Sequence, residues 1–486
     1  MERLISFCGL FVMIGLAWVM SSHRRKVSLR IVIGGLVLQM VFALVILRTV
    51  PGQLAFKAIG DFFTNMIGYV DRGSEFVFGM NREFEVPVNI TVSGNTSLVV
   101  LEHGQPEIDS LVKSLRRQDG VVTVAVGEST RQVDPSAKDW EEPFRVWIAN
   151  SIANYLTPNQ PRTRQLLTSF AFGVLPTIIF FASLMSMLYH LGVMQRIVAF
   201  FAWIMQKTLG TSGAESLSAA ANIFVGQTEA PLVIRPYVGA MTASELMAVM
   251  VGGFATIAGG VLAAYVGFGI NAGHLVTASV ISAPAALLIA KVMQPEVEQP
   301  KTMGHVEIQV EKKDANLIGA AASGAADGMK LALNVAAMLI AFLAIIAMLN
   351  GLIGWTGSLF GQQWTLENAL SYIFWPLAWI MGIPGKDCFT AAELLGTKMV
   401  ANEFVAYLNL GNILAENSES LTPRSVTILT YALCGFANFG SIGIQLGGIG
   451  GIAPERRGDL ARLGLRAMLG GTLAAFMTAC VAGILI

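Results

Sequence analysis

Two glutamates in this 486-residue chain lie in stretches of sequence where carboxylates are costly. Glu229 falls in the apolar stretch 212–240 and Glu403 in the stretch 387–411, each too polar or too broken to be a simple membrane crossing. The two stretches are copies. Ala202-Trp203-Ile204-Met205 precedes the first and Ala378-Trp379-Ile380-Met381 the second; Trp203 stands 26 residues before Glu229, and Trp379 stands 24 before Glu403. A second shared string follows each, Gly253-Phe254-Ala255-Thr256 in one copy and Gly435-Phe436-Ala437-Asn438 in the other. The glutamates therefore hold matching places in an internal repeat. A carboxylate deep in a bilayer costs about 2.5–3.5 kcal/mol on insertion scales, so an acid at the same point of both copies points to function. Each has one basic residue nearby, Arg235 and Lys398, and a merely structural ion pair is the competing reading.

Positioning such groups requires a particular architecture. Each copy reads as one crossing, an interfacial helix, a broken hairpin and two further crossings. Three crossings per copy is odd, so the second copy is inverted. Inverted repeats with discontinuous segments at corresponding places are the signature of secondary transporters, whose site lies where the two broken elements meet. A hairpin tip within the membrane is tolerated only where its freed N–H and C=O groups line a cavity or are buried in protein, and those same groups can bind ions and polar solutes.

Composition agrees with a membrane setting. Hydrophobic residues make up 54% and charged residues 13%, against roughly 45–50% and 25% in a soluble domain, which excludes an ordinary cytosolic enzyme. Lys plus Arg and Asp plus Glu number 32 each, so no basic excess recruits nucleic acid. The 50 glycines and 22 methionines suit closely packed lipid-embedded helices. Apolar runs at 4–20, 31–47, 170–187, 246–268, 275–290, 331–353, 426–452 and 467–486 give eight crossings. The first run has its basic cluster, Arg24, Arg25, Lys26 and Arg30, after it and no small-residue cleavage site, so it reads as an uncleaved span. Lys and Arg accumulate on the cytoplasmic side. That rule places the cluster, the lysine-bearing loop 291–330 and the loop 453–466 with Arg456, Arg457, Arg462 and Arg466 inside, and both termini outside.

The fold class is thus an all-α polytopic membrane protein, eight transmembrane helices with two re-entrant hairpins in inverted repeats, plus a small extramembrane α/β insertion. Residues 81–165 hold 20 of the 64 charged side chains and fall on the extracellular or periplasmic face. Within them 84–92 and 121–126 read as strands and 107–117 as a helix. Asn89-Ile90-Thr91 and Asn95-Thr96-Ser97 fit the glycosylation tripeptide, a match common by chance. Phe56, Ile59, Phe63, Met66 and Val70 recur at helical spacing beside Lys57, Asp61 and Asp71, as in a helix lying along the interface. The organisation is two N-terminal crossings over 1–50, this interfacial helix over 51–80, the insertion, the first repeat over 166–300, a cytoplasmic loop over 301–328 and the second repeat over 329–486.

Other chemistry finds little support. The four cysteines form no CxxC pair and predict neither a disulfide framework nor a zinc site. His190 and His274 read as structural, the methionines of 185–194 as packing, and Gly447-Gly448-Ile449-Gly450-Gly451 as close helix packing, without the strand-and-helix context of a nucleotide loop. A membrane-embedded enzyme would want HExxH or GxSxG, and an ATP-driven pump GxxxxGK[ST]; none is present. A passive channel or receptor with a partner-binding outer module is the remaining alternative, and two glutamate-tipped hairpins argue against it.

At Gly226-Gln227-Thr228-Glu229-Ala230-Pro231, and from Gly396 through Lys398 to Asn402-Glu403-Phe404-Val405-Ala406-Tyr407, the chain resembles the concentrative nucleoside transporters. The resemblance covers the membrane part from Ile31 onward, includes the region of Gly68-Tyr69 to Phe78-Gly79, and skips 81–165, an insertion outside the family pattern. It implies a homotrimer in the plasma membrane (the inner membrane of a bacterium), with a mobile domain that moves against a trimerising scaffold in an elevator-like manner. It implies that Gln227, Thr228 and Glu229 face the nucleobase, with Val261 as an apolar wall. Glu403, Asn438 and Ser441 would hold the ribose hydroxyls and Phe436 line the pocket. The chemistry is apt: ribose offers vicinal hydroxyl donors to a carboxylate and an amide, and a base offers mixed donors and acceptors. No resident cofactor is implied. The coupling ion would be sodium, held by Asn222 and Val225 on the hairpin and Thr256 and Ile257 on the following span, an oxygen-only set suited to a hard cation. A proton-coupled member would carry much the same residues.

Overall fold

The computed structural model describes residues 2–78, 86–92, 95–101, 105–116, 118, 120–127, 129–137, 140–156, 170–303, 314–362, 364–416 and 420–486. The chain forms two compact units, one of Met1–Gly68 with Leu175–Ile486 and the other of Tyr69–Val174. The expected interfacial segment is a helix, Val50–Phe78.

In the larger unit, five helical segments among the described residues are long and apolar enough to cross a membrane: Glu2–Val19, Leu29–Arg48, Ala243–Gly267, Ala272–Met293 and Pro454–Leu485. Leu175–His190 and Val193–Leu209 are a sixth candidate, bent by 78° at Gly192, whose φ of 77° favours glycine. Two of the runs read as single crossings are divided. The run 246–268 is two helices, Ala243–Ala255 and Gly259–Gly267. The run 426–452 is also two, Pro423–Leu433 and Phe439–Ile452. Hydropathy alone did not reveal either break, because the separating residues, Thr256–Ala258 and Cys434–Asn438, are nearly as apolar as the helices they part. The run 331–353 lies inside a 42-residue helix, Leu317–Ser358.

The C-terminal helix Arg457–Leu485 is buried along most of its length and forms the core of this unit. It comes close to the first broken span because Gly471 has no side chain; a Cβ there would stand 3.0 Å from the Phe254 carbonyl carbon. Large apolar side chains face outward elsewhere: Ile33 on Leu29–Arg48, Ile340 on Leu317–Ser358 and Tyr372 on Leu366–Ile380 are 59%, 74% and 72% exposed. Such faces are stable only against lipid or other protein, and the chain is a multi-pass membrane protein.

The smaller unit carries a four-stranded antiparallel sheet, β1 Val86–Val92, β2 Asn95–Leu101, β3 Val122–Val126 and β4 Ser129–Val133, in the order β2-β1-β3-β4. Val88 pairs with Val99 on one side and with Val126 on the other. Alternation puts Val86, Val88 and Ile90, and likewise Val122, Val124 and Val126, on one buried face. Helices Gln105–Leu115 and Glu141–Leu156 cover it with Ile108, Leu111, Leu115, Phe144 and Ile148. Burial of each such side chain contributes about 1.5–3 kcal/mol, so this unit has a core of its own. The strands and helix expected at 84–92, 121–126 and 107–117 coincide with β1, β3 and the first of these helices. Residues 84, 85 and 117 lie outside the described residues. β2, β4 and Glu141–Leu156 escaped the sequence reading.

Candidate functional site

The two repeats share a third string that sequence inspection missed, Gly210-Thr211-Ser212-Gly213-Ala214-Glu215 against Gly382-Ile383-Pro384-Gly385-Lys386-Asp387. Both leading glycines take a positive φ, 73° and 90°, at the turn into the segment expected to form a hairpin. In the first copy Ser212 and Glu215 form a capping box for the hairpin helix Gly213–Ala221. The Ser212 hydroxyl also donates to Glu245, 2.6 Å away at the start of the broken span. In the second copy Asp387 accepts from Thr422 Oγ1 (2.7 Å) and Ser425 Oγ (2.5 Å), again at the start of the broken span. The start of each of these two segments is thereby tied to the divided run that follows it.

The breaks come next. The first hairpin helix ends at Asn222, and the chain continues through Ile223–Glu229 before the short helix Ala230–Val233. The Phe224 carbonyl accepts from the Gly259 N–H at 3.1 Å, so the hairpin's unwound backbone meets the break of the first span. That break in turn meets the break of the second span. Gly435, at φ 106°, would place a Cβ 2.8 Å from the Ala255 carbonyl carbon and 2.9 Å from its oxygen. Carbonyls released at the second break are recovered by Lys398, buried on the second hairpin helix Cys388–Val400, which donates to Ala432 O at 2.9 Å and Cys434 O at 3.1 Å.

Around these breaks runs a continuous polar chain. Glu403, 4% exposed, accepts from the Tyr265 hydroxyl at 3.1 Å and from Asn438 Nδ2 at 3.0 Å. Asn438 caps Phe439–Ile452, its Oδ1 accepting from the Ser441 N–H at 2.9 Å. Ser441 Oγ accepts from Gln227 Nε2 at 3.1 Å, which brings in the first hairpin. Gln227 Oε1 accepts from Gln445 Nε2 at 3.1 Å, and Gln445 donates also to the Met250 carbonyl at 3.1 Å. Tyr265 stacks near Tyr407, with ring centroids 4.5 Å apart, and near Phe404 at 5.6 Å. An aromatic floor thus lies under the carboxylate.

Four residues singled out from sequence, Gln227, Glu403, Asn438 and Ser441, belong to this one network. Val261 is buried and Phe436 half-buried. Thr228 and Glu229 point elsewhere. Thr228 Oγ1 donates to Glu229 at 2.8 Å. Glu229 is exposed and, with Tyr189, Gln195, Arg235, Asp314 and Asp327, lines a cavity of about 1090 Å³. Among the described residues no hydrogen bond or ion pair joins Glu229 to Glu403, and neither glutamate pairs with Arg235 or Lys398. The two glutamates thus stand in different surroundings: the segment Ile223–Glu229 presents Gln227 to the network and Glu229 to the cavity.

Of the expected ion ligands Asn222, Val225, Thr256 and Ile257, Asn222 and Thr256 meet beside Gly252. Asn222 is 1% exposed, and neither its Oδ1 nor its Nδ2 has a hydrogen-bond partner. Thr256 Oγ1 donates to the Gly252 carbonyl at 2.9 Å, and a Cβ on Gly252 would lie 3.2 Å from Asn222 Nδ2, so both side chains flank the same glycine. A buried amide oxygen without a partner costs about 1–3 kcal/mol. An amide oxygen and a hydroxyl are ligand types that suit a hard monovalent cation. Ser218 Oγ, one turn earlier, is likewise buried without a partner and went unnoticed in sequence.

Three family descriptions match the chain: "Na+ dependent nucleoside transporter N-terminus" over residues 8–81, "Nucleoside recognition" over 171–272 and "Na+ dependent nucleoside transporter C-terminus" over 274–483. The interval 82–170 falls between them. The chain is 41% identical to solute carrier family 28 member 3 of the hagfish Eptatretus stoutii, over all of this chain and 61% of that protein. It is 39% identical to sodium/nucleoside cotransporter 1 of Mus musculus, over all of this chain and 64% of that protein. Thus it spans about three fifths of the length of these curated relatives. An uncharacterized transporter of Haemophilus influenzae is 40% identical, with 98% of its length covered. Among solved structures, CNTnw in an inward-facing substrate-bound state superposes with a TM-score of 0.77 at 37% identity, covering all of this chain and 98% of that one.

Proposed function

We infer the function from one premise: the chain belongs to the sodium-dependent nucleoside transporter family, whose members are transporters and not enzymes. On this reading it is a secondary active symporter that imports nucleosides against their gradient, with sodium as the co-transported ion. Glu403 and Asn438 accept and donate to the ribose hydroxyls, Ser441 adds a further hydroxyl, and Gln227 reads the base. Val261 and Phe436 supply apolar walls. Glu229, which lines the neighbouring cavity, and Thr228, which donates to it, join the base site when the hairpin closes on substrate. Sodium sits at Asn222 and Thr256 with the carbonyls of Val225 and Ile257. One monovalent cation crossing about 100 mV contributes ~2.3 kcal/mol, enough for roughly fiftyfold accumulation at a 1:1 ratio without ATP. Eight crossings, two re-entrant hairpins, a homotrimeric scaffold, an elevator-like movement and an outward-facing 81–165 insertion complete the proposal.

The observation that carries it is the uninterrupted hydrogen-bonded run from Glu403 through Asn438 and Ser441 to Gln227, which joins both repeats in one polar seam. Uptake of labelled uridine into vesicles, with sodium, proton or no gradient, tests it. Sodium-driven accumulation supports the proposal. Accumulation driven by protons alone would reassign the ion, and gradient-independent equilibration would replace symport by a passive channel.

A further inference from the structure

Gln445 lies on the helix Phe439–Ile452, fully buried, and neither the repeat nor the ribose-binding set accounts for it. Its position constrains Gln227. The Met250 carbonyl can only accept, so the Gln445 carboxamide must turn its NH2 toward it. The same NH2 then donates to Gln227, which must offer Oε1 rather than Nε2. Gln227 in turn directs its own NH2 to Ser441 Oγ. Turning Gln445 over would set its oxygen against the Met250 oxygen. The native arrangement instead leaves Gln445 Oε1 buried without a partner, a cost that shows how firmly the orientation is held. Space for the two amides comes from Gly253, where a Cβ would stand 2.8 Å from Gln445 Nε2 and 2.9 Å from Gln227 Cβ.

We propose that Gln445 is a specificity-determining positioning residue: through the Met250 carbonyl it locks Gln227 as a hydrogen-bond donor toward the 4-position of the base, selecting pyrimidine nucleosides with a 4-carbonyl over those with a 4-amino group. This rests on the nucleoside-transport reading. One N–H of Gln227 is used on Ser441, and the second is left to meet a base acceptor. A 4-oxopyrimidine offers that acceptor, whereas a 4-aminopyrimidine offers another donor. A site built to bond one such group discriminates strongly against its opposite, because the buried donor is left unpaired.

Competition of uridine and cytidine against labelled uridine on the purified full chain tests this. The native protein should bind uridine at least about fivefold more tightly than cytidine. Gln445→Leu removes the lock, and the ratio should fall to within about twofold whatever happens to overall affinity. Gln445→Glu should invert it: a protonated carboxyl donates to Met250 and accepts from Gln227, a charged one only accepts, and either turns the Gln227 oxygen toward the base. A residue that served packing alone would weaken both nucleosides equally. Equal affinities in the native protein, or the native ratio retained in either variant, would overturn the proposal. A native protein that binds neither nucleoside would defeat the transport reading itself, an outcome distinct from an unmoved ratio.

Discussion

The Tyr265 hydroxyl on the first broken span donates to Glu403 on the second hairpin across 3.1 Å, linking residues 138 positions apart in the two repeats. A hydrogen bond to a charged acceptor contributes about 1.5–3 kcal/mol. Tyr265→Phe keeps the ring packing against Tyr407 and Phe404 and removes only the donor. We expect substrate affinity about tenfold weaker with assembly unchanged. Unaltered affinity by calorimetry would separate Tyr265 from the site.

Glu403→Ala should abolish uptake and leave the protein folded and assembled, because the carboxylate is the proposed acceptor for the ribose hydroxyls. Near-normal transport by that variant would refute the assignment.

Lys398 should matter to stability first. It satisfies two carbonyls set free where the second span is interrupted, and leaving them buried and unpaired costs more than is regained by removing a buried ammonium. Lys398→Met is expected to lose ~2 kcal/mol or more, read as a lowered thermal unfolding midpoint in detergent; an unshifted midpoint would show that the carbonyls find other partners.

Sodium should raise the unfolding midpoint of the native protein relative to choline, since a ligand that binds only the folded state stabilises it by mass action. Asn222→Leu removes the partnerless amide and should eliminate that difference. A sodium-induced shift that persisted in this variant would place the ion elsewhere.

Deletion of residues 84–158 with a short linker should preserve nucleoside binding. The segment belongs to a unit with its own core; it is not the insertion outside the family pattern expected from sequence, because relatives and solved structures align over all of this chain, and the prediction rests on that separate core alone. Lost binding in a still-assembled protein would give the smaller unit a part in the site.

What could be read in advance was what repeats locally. The tryptophan-led strings lie at nearly equal spacing before Glu229 and Glu403, 26 and 24 residues, and a Gly-Phe-Ala triplet follows each, so a linear comparison aligned the two glutamates; alternation of apolar residues marked β1 and a β-branched run marked β3. Lys398 stood within a string already singled out. Gln445 carried a fainter signal, a polar side chain in the otherwise apolar, glycine-rich helix Phe439–Ile452.

The amino-acid sequence by itself determined the membrane setting, the internal repeat and the candidate polar groups within it, because hydropathy and spacing are properties of neighbours along the chain. Only the tertiary structure decided which of those groups face one another. Glu229 and Glu403 are equivalent in the repeat yet different in surroundings, one lining a cavity and the other buried under Tyr265 and Asn438. That difference arises from contacts between segments far apart in sequence, at two helix breaks where backbone and side-chain hydrogen bonds are satisfied by whichever partner the packing brings near.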